Sequence, residues 1–489
     1  MSLPLKFLNS APTSALPIDC FRIGVGVLSL FYFLRLIIDA PFFMGSDGLI
    51  DHSLLQNIYW YTWQPIFYPF MTTATTQMIF GAGLFFSAGL TLGFHSRWMA
   101  ICLYILAVCT YRYQFLVFFV DDVIIHLLLF WCALLPVGKT LTLQDYLKDK
   151  NIMQSWKEKT VDGTVLNLFL YNIALIYLVA GISKYTSYLW LDGIALFAVL
   201  KLPLSWIASF NLIPFELPLK IGNYLALAIE PFFALIIFLK PWSRLKLSLG
   251  LGLLLFHAFI ILTLDIPMAN LGCLVLVPLL FRQEIMPNSL QQPLRQKYEV
   301  FPKIIAFLAL IFLTSAMACS LTQGQWRNAK RISGKDVAAE VQISSADSGG
   351  AIQTFFYSGL WVMGLAQGYR LLDWIDERNF HQAVTVIEKK DNALIKFPRS
   401  SLVPDGMRGS LILTYLSGVT WMYVDPDRKE ELRKSLSQRL VRRYCQKNKE
   451  EIQVEVWHTL TRIDSFKPKS GVSEILVSFV CRNSQPVIN

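Results

Sequence analysis

The chain has 489 residues, 54% hydrophobic and only 16% charged, with a mean hydropathy of +0.46. A soluble globular protein carries about 25% charged residues, so composition excludes that class and points to an integral membrane protein. The net charge of +10 does not imply nucleic acid, because the basic residues form no groove-sized stripe and the cytoplasmic loops of polytopic proteins collect Lys and Arg.

Residues 1–16 carry a single lysine, Lys6, and no long apolar core. No cleavable signal peptide is therefore expected, and the first apolar run, from about Leu16, reads as a signal anchor. Up to about residue 320, long apolar runs alternate with short polar loops. Nine spans are predicted, at about 17–38, 77–94, 98–119, 122–138, 164–183, 221–240, 246–264, 268–282 and 302–320, each near the ~20 residues that a bilayer needs. The eighth is the shortest. The stretch 190–218 is apolar too, but Pro203, Pro214 and Pro218 interrupt it, so it reads as re-entrant or interfacial.

Three loops are basic. The 139–163 loop holds Lys139, Lys148, Lys150, Lys157 and Lys159; the 240–246 loop holds Lys240, Arg244 and Lys246; the 282–303 loop holds Arg282, Arg295, Lys297 and Lys303. The 39–76 loop has no Lys or Arg. Positive-inside ordering then predicts a cytoplasmic N-terminus and an extracytoplasmic C-terminus, with Lys184, the 39–76 loop and Asp265 near the outer face.

Beyond about Thr322 the chain turns polar. Residues 323–352 read as a linker. AVTVIEKKD, ALIKFP, SLILTYL, VTWMYV and EILVSFVC read as strands separated by turns. One helix is expected from Asp427 to Lys447, where Leu432, Leu436 and Leu440 recur at helical spacing and Arg439, Arg442 and Arg443 flank them. The fold class is thus a polytopic all-α membrane bundle over 1–320, followed by a β-rich α+β extracytoplasmic domain over 321–489. Six of the eight cysteines (Cys20, Cys102, Cys109, Cys132, Cys273 and Cys319) fall in or beside apolar segments, where they read as small hydrophobes. Cys445 and Cys481 lie in the polar region and can pair if it faces an oxidising compartment. No CxxC or His/Cys metal spacing occurs.

Ionisable residues within the apolar segments are the functional candidates: Asp19, Arg22, Arg35, Arg112, Asp121, Asp122, His126, Lys184, Glu230, His257 and Asp265. Such groups face the bundle interior, pair with one another, or mark a pathway. Arg22 in DCFRIG can pair with Asp19 or hold an anionic ligand. Asp122 and His126 are four apart and share one helix face, as a structural pair or as a proton-carrying one. Glu230 precedes Pro231 on the span before His257, so the two can meet. Lys184 has distinctive company: GISKYTSYLWLDG ends a helix, turns and restarts, with Tyr185 and Trp190 beside it and Asp192-Gly193 in position to cap the next helix. It is either a snorkelling interfacial lysine or a desolvated amine available as a base.

Four segments together resemble the HTTM membrane domain, the family that includes vitamin K-dependent gamma-carboxylase. They are IDCFRIGVGVLSLFYFLR with the GSDGLI loop, VDDVIIHLLLFWCALLPVGKTLTLQD, YLVAGISKYTSYLWLDGIAL, and AIEPFF with FHAFIILTLDIPMANLG, spanning about residues 15–285. The third is the most specific, being similar to the family's Ala-Gly-x-x-Lys…Trp-x-x-Gly pattern. The resemblance implies that Lys184 matches the lysine that deprotonates reduced vitamin K, that oxygen then generates the strong base that takes a glutamate γ-proton, and that CO2 traps the carbanion. It implies catalytic roles for Lys184, His257 and Asp122, a pocket for a reduced quinone lined by Tyr185, Trp190, Glu230, His126 and Arg22, and an extracytoplasmic protein or peptide substrate. It also implies residence in a bacterial inner membrane. This chain departs from the family where an Asn-His pair is replaced by Asp121-Asp122; that histidine is assigned to carboxylation, and His126, one turn on, is the candidate substitute. A non-enzymatic membrane scaffold, binding lipid or an extracytoplasmic partner, is the rival class. A transporter with a buried proton relay is third, and the absence of an inverted repeat argues against it.

Overall fold

The structure, a computed structural model, describes residues 12–44, 48–50, 72–148 without 114 and 118, 159–286, 300–332, 360 with 363–365, 379–416 without 391–392, 426–447, and 451–488 without 469 and 483. VTWMYV, most of the 39–76 loop and the side chain of Arg112 lie outside the described residues.

Every predicted span falls on helix. In chain order these are α1 (Ala15–Phe43), α2 (Thr73–Leu92), α3 (Ser96–Tyr113), α4 (Val120–Leu134), α5 (Thr164–Lys184), α6 (Glu216–Ile229) with its 3₁₀ continuation Glu230–Ile237, α7 (Arg244–Thr263), α8 (Pro267–Val275) and α9 (Val300–Ile332). Among the described residues, six segments are long and apolar enough to cross a bilayer: Ala15–Phe43, Thr73–Leu92, Thr164–Lys184, Ile213–Ile237, Arg244–Thr263 and Val300–Ala318. The chain is a membrane protein by that measure; α3, α4 and α8 are shorter. The expected linker is corrected at its start, because α9 runs on to Ile332. The proline-rich stretch breaks into two short helices, Tyr188–Leu191 and Ala195–Lys201, and irregular turns, as fixed proline φ angles and missing N–H groups require.

The first helix is anchored by its own charges. The Asp19 carboxylate accepts from the N–H groups of Gly138, Lys139 and Thr140 and from the Thr140 hydroxyl. It also pairs with Arg22 at 2.9 Å. The guanidinium in turn donates to the carbonyls of Leu90, Thr91 and Leu141. Leu90 and Thr91 lie in the last turn of α2, where carbonyls lack the usual partner four residues on and the helix dipole is negative. Arg22 therefore caps α2 and ties α1 to the 138–142 loop.

The described ends of the three basic loops meet at one end of the bundle. There a short antiparallel ribbon joins β1 (Pro12–Ser14) and β2 (Thr160–Asp162), Lys303 pairs with Asp162, Lys246 with Glu284 at 2.8 Å, and Arg282 donates to Asn167. The C-terminal region covers the opposite end. It contains a five-stranded antiparallel sheet, order β4-β3-β5-β6-β7, from β3 (Phe380–Lys390), β4 (Ala393–Pro398), β5 (Ile452–Arg462), β6 (Val472–Arg482) and β7 (Gln485–Ile488). Two helices join it, α10 (Met407–Leu416) and α11 (Pro426–Lys447). The expected helix from Asp427 is thus α11, its buried stripe Leu432, Leu436 and Leu440. SLILTYL, expected as a strand, is α10: Leu411, Ile412, Leu413 and Leu416 are all buried, so burial on several sides, not alternation, sets its pattern. Cys445 of α11 and Cys481 of β6 are disulfide-bonded across 36 residues.

The two parts share a core. Leu411 of α10 packs with Trp190 and Phe197 of the bundle, and the rings of Phe197 and Phe466 lie 4.8 Å apart.

His458 on β5 is buried, and burial pushes its imidazole below the usual range. The same direction holds for His381, again mainly from burial. Folded protein therefore binds fewer protons than unfolded protein, whose histidines titrate near about 6.5. Stability is full above that value and falls as pH drops from there toward the folded pKa, by up to about 1.4 kcal/mol per pH unit per group. Thermal unfolding at pH 7.5 and 5.5 should show a lower midpoint at 5.5, and His458→Gln should narrow the gap.

Candidate functional site

The site grows from α5. Tyr177, Ala180, Gly181 and Lys184 repeat at spacings of three and four, so they share one helix face. Gly181 is the contact point. A Cβ at this position would lie 2.4 Å from Cγ of Pro231, so only glycine admits the 3₁₀ segment so closely. That approach sets Glu230 against Lys184, with Nζ 2.7 Å from Oε2 and both side chains 3% exposed. Nζ also donates to the Ala180 carbonyl at 3.2 Å and lies 5.4 Å from the ring centroid of Trp190. The lysine does not snorkel to solvent. It is a buried ammonium–carboxylate pair under an indole.

Pro231 explains Tyr185. Proline has no N–H for the carbonyl four residues earlier, and that carbonyl belongs to Leu227. The Tyr185 hydroxyl donates to Leu227 O at 2.9 Å, replacing the lost helical bond, while the ring itself is about half exposed. Trp190 is fixed from behind: Asn223, fully buried, donates to its carbonyl at 2.8 Å and accepts from the Leu196 N–H. Gly193 closes the turn with φ +78°, a left-handed conformation that glycine adopts without strain.

His257, mid-helix on α7, meets Tyr177 and Asn270, not Glu230 by hydrogen bond. Its Nε2 is 2.7 Å from the Tyr177 hydroxyl and its Nδ1 is 2.8 Å from Asn270 Oδ1. Asn270 Nδ2 donates to Ile266 O, which fixes the amide so that Oδ1 faces the ring. Nδ1 therefore carries the proton, Nε2 presents its lone pair, and Tyr177 donates to it. Tyr177 also lies within the electrostatic reach of Glu230. Two polar pairs, Lys184–Glu230 and Tyr177–His257, thus line neighbouring turns of α5 inside an apolar bundle.

The other expected site residues sit in separate networks. Asp122 takes the N–H of Phe119 on one oxygen and Arg408 of α10 on the other, at 2.9 and 3.0 Å. It is not a carboxylate presented to Lys184. Its neighbour Asp121 accepts from the N–H groups of Met268 and Ala269, capping α8. His126 is buried with Nδ1 2.8 Å from Gly364 O, and Arg22 is occupied by Asp19 and the end of α2. The resemblance assigned no role to Tyr177, Asn270 or Arg408, although the first two lie within its matching segments. Tyr177 is hidden in an apolar run and betrayed only by its seven-residue separation from Lys184.

Among the described residues no group of three or more His, Cys, Asp or Glu is placed to hold a metal ion. Compared with protein-family models, curated proteins and solved structures, the chain matches none.

If Gly181 serves that close approach, Gly181→Ala should destabilise by about 1–3 kcal/mol, the usual cost of overpacking, by pushing Pro231 and Glu230 away from α5. An unchanged unfolding midpoint would remove Gly181 from the account.

Proposed function

We propose that the protein is an integral membrane enzyme of the carboxylase-like class, acting on a reduced quinone of the vitamin K hydroquinone type with O2 and CO2. The carrying observation is the Lys184–Glu230 pair, 2.7 Å apart and removed from water. A buried pair of this kind is expensive to keep where an apolar pair would serve, so its retention favours use. The residues suit an apolar, aromatic, weakly acidic ligand: an indole face, an apolar bundle reached from lipid, and an acid–base pair at the end of it. Such a ligand would bring acidic phenol protons and, with O2, a base stronger than any side chain.

The chain's own groups do the rest. Lys184 is an ammonium while Glu230 is a carboxylate. For Nζ to accept a proton, its own must first pass to Glu230 Oε2 along the 2.7 Å contact, leaving a neutral amine and a neutral acid. Trp190 covers the amine, and Tyr185 holds the Pro231 break that positions Glu230. His257, with its Nε2 lone pair, is the adjoining proton store through Tyr177.

Carboxylation is the less supported half, since Asp121 and Asp122 both have structural partners. The C-terminal region, disulfide-bonded and docked at the end where Lys184 lies, suits an extracytoplasmic position in a bacterial inner membrane, with the basic loops inside. The direct test supplies purified protein with 2-methyl-1,4-naphthohydroquinone, O2 and bicarbonate. Epoxide formation that falls at least about 100-fold in Lys184→Ala shown to be folded, the scale of a lost general base, supports the reading; epoxide at the wild-type rate overturns it. The scaffold reading draws on one observation, the saturation of Asp19, Arg22, Asp121 and Asp122 by structural bonds, and predicts no turnover with any quinol.

A further inference from the structure

Three residues after Asn270, on the same face of α8, stands Cys273. That places it one helical turn from the amide that holds His257, among the electrostatic neighbours of His257 and Tyr177, and it is partly exposed. Thiol, imidazole and amide are thus grouped as in a nucleophilic site: a sulfur, a base, and an amide that sets the base's tautomer. The arrangement is built rather than incidental. Asn270 is fixed by Ile266 O, His257 by Asn270, and Tyr177 by His257.

We propose that Cys273 is a reactive thiol that forms a covalent adduct with lipid-soluble α,β-unsaturated carbonyl compounds. The proposal uses the His257–Tyr177 pair that the quinol reading also uses, but it stands whether or not a quinol is turned over. The thiol proton passes through the Tyr177 hydroxyl to Nε2 of His257 as sulfur bonds to the β-carbon of the alkene. The imidazolium then returns that proton to the α-carbon. One C–S and one C–H bond form, the alkene π bond and the S–H bond are lost, and no external oxidant or reductant is needed. The ligand class follows from the setting: sulfur prefers soft carbon electrophiles, and α8 lies inside an apolar bundle, which a lipid-soluble molecule can enter.

The test uses the full-length purified protein and N-ethylmaleimide, a membrane-permeant member of this class, with peptide mass spectrometry as the readout. Cys20 and Cys102, also in apolar helices and partly exposed, are internal references. Cys273 should label at least about tenfold faster than either, the size of effect expected for a base-assisted thiol. His257→Gln should bring it to within about threefold of them, and Tyr177→Phe should slow it as well. Labelling of Cys273 at or below the rate of Cys20 and Cys102 in the wild-type protein overturns the proposal without any variant. So does an unchanged rate in folded His257→Gln.

Discussion

Lys184→Met lowers stability by about 3–5 kcal/mol, because it strands the Glu230 carboxylate in the bundle with no counter-charge. Nζ and Oε2 are 2.7 Å apart and neither side chain is more than 3% exposed. Water cannot replace the ammonium, and the Ala180 carbonyl and Trp190 face offer a carboxylate nothing. Adding Glu230→Leu removes the orphan charge, so Lys184→Met/Glu230→Leu should recover most of the loss; replacing both partners of a buried pair by apolar groups is often neutral or stabilising. Thermal midpoints in one detergent, at one scan rate, give the comparison. Equal midpoints for the single variant and wild type would mean that the pair is solvated.

The second large effect is expected at Arg408. This buried guanidinium stands 3.0 Å from Asp122 and 3.3 Å from Asp39, and it approaches the Phe119 ring. It enters from α10, whose first N–H, from Met407, donates to Asp265. Gly406 makes the approach possible: its φ is +102°, and an added Cβ would lie 2.7 Å from Asp265 and 2.9 Å from Arg35. Arg408→Met removes the cation from the buried Asp122 carboxylate and leaves Asp39 to Arg35 alone, and should cost about 3–5 kcal/mol. Because Arg408 comes from the C-terminal region, limited proteolysis should then cut the chain between α9 and α10 sooner than in wild type. A protected digest with an unchanged midpoint would show that Arg408 does not hold the two parts together.

Much of the fold was legible because hydropathy is a local property. All nine expected spans coincide with helix, since a run of about 20 apolar residues declares itself without knowledge of neighbours. Long helices and true spans are separate matters, and α3, α4 and α8 are too short to be decided by composition. In the C-terminal region β3, β4 and β6 showed their alternation, and α11 its leucine stripe. α10 was misread because a helix buried on several sides loses the 3.6-residue signal.

At the site, Lys184 stood out through its local company, and Glu230 and His257 through their charge in apolar surroundings. Their partners did not. Glu230 is 46 residues from Lys184, and nothing local says that Gly181 makes room for Pro231. Asp122 and His126 share a helix face, yet each is satisfied from the C-terminal region, by Arg408 and by Gly364 O. Arg22 was open between pairing and ligand binding, and the 138–142 loop decided for pairing. Tertiary partners of buried charges are set by topology, which short-range spacing cannot encode.

The account rests on the proton held between Lys184 and Glu230 being used, not merely stored. The most direct measurement is naphthohydroquinone turnover by Lys184→Met/Glu230→Leu, once its unfolding midpoint has shown that it is folded. The account predicts epoxide at least about 100-fold below wild type in a protein as stable as wild type. Epoxide at the wild-type rate from that folded double variant would contradict it and leave the pair a structural one.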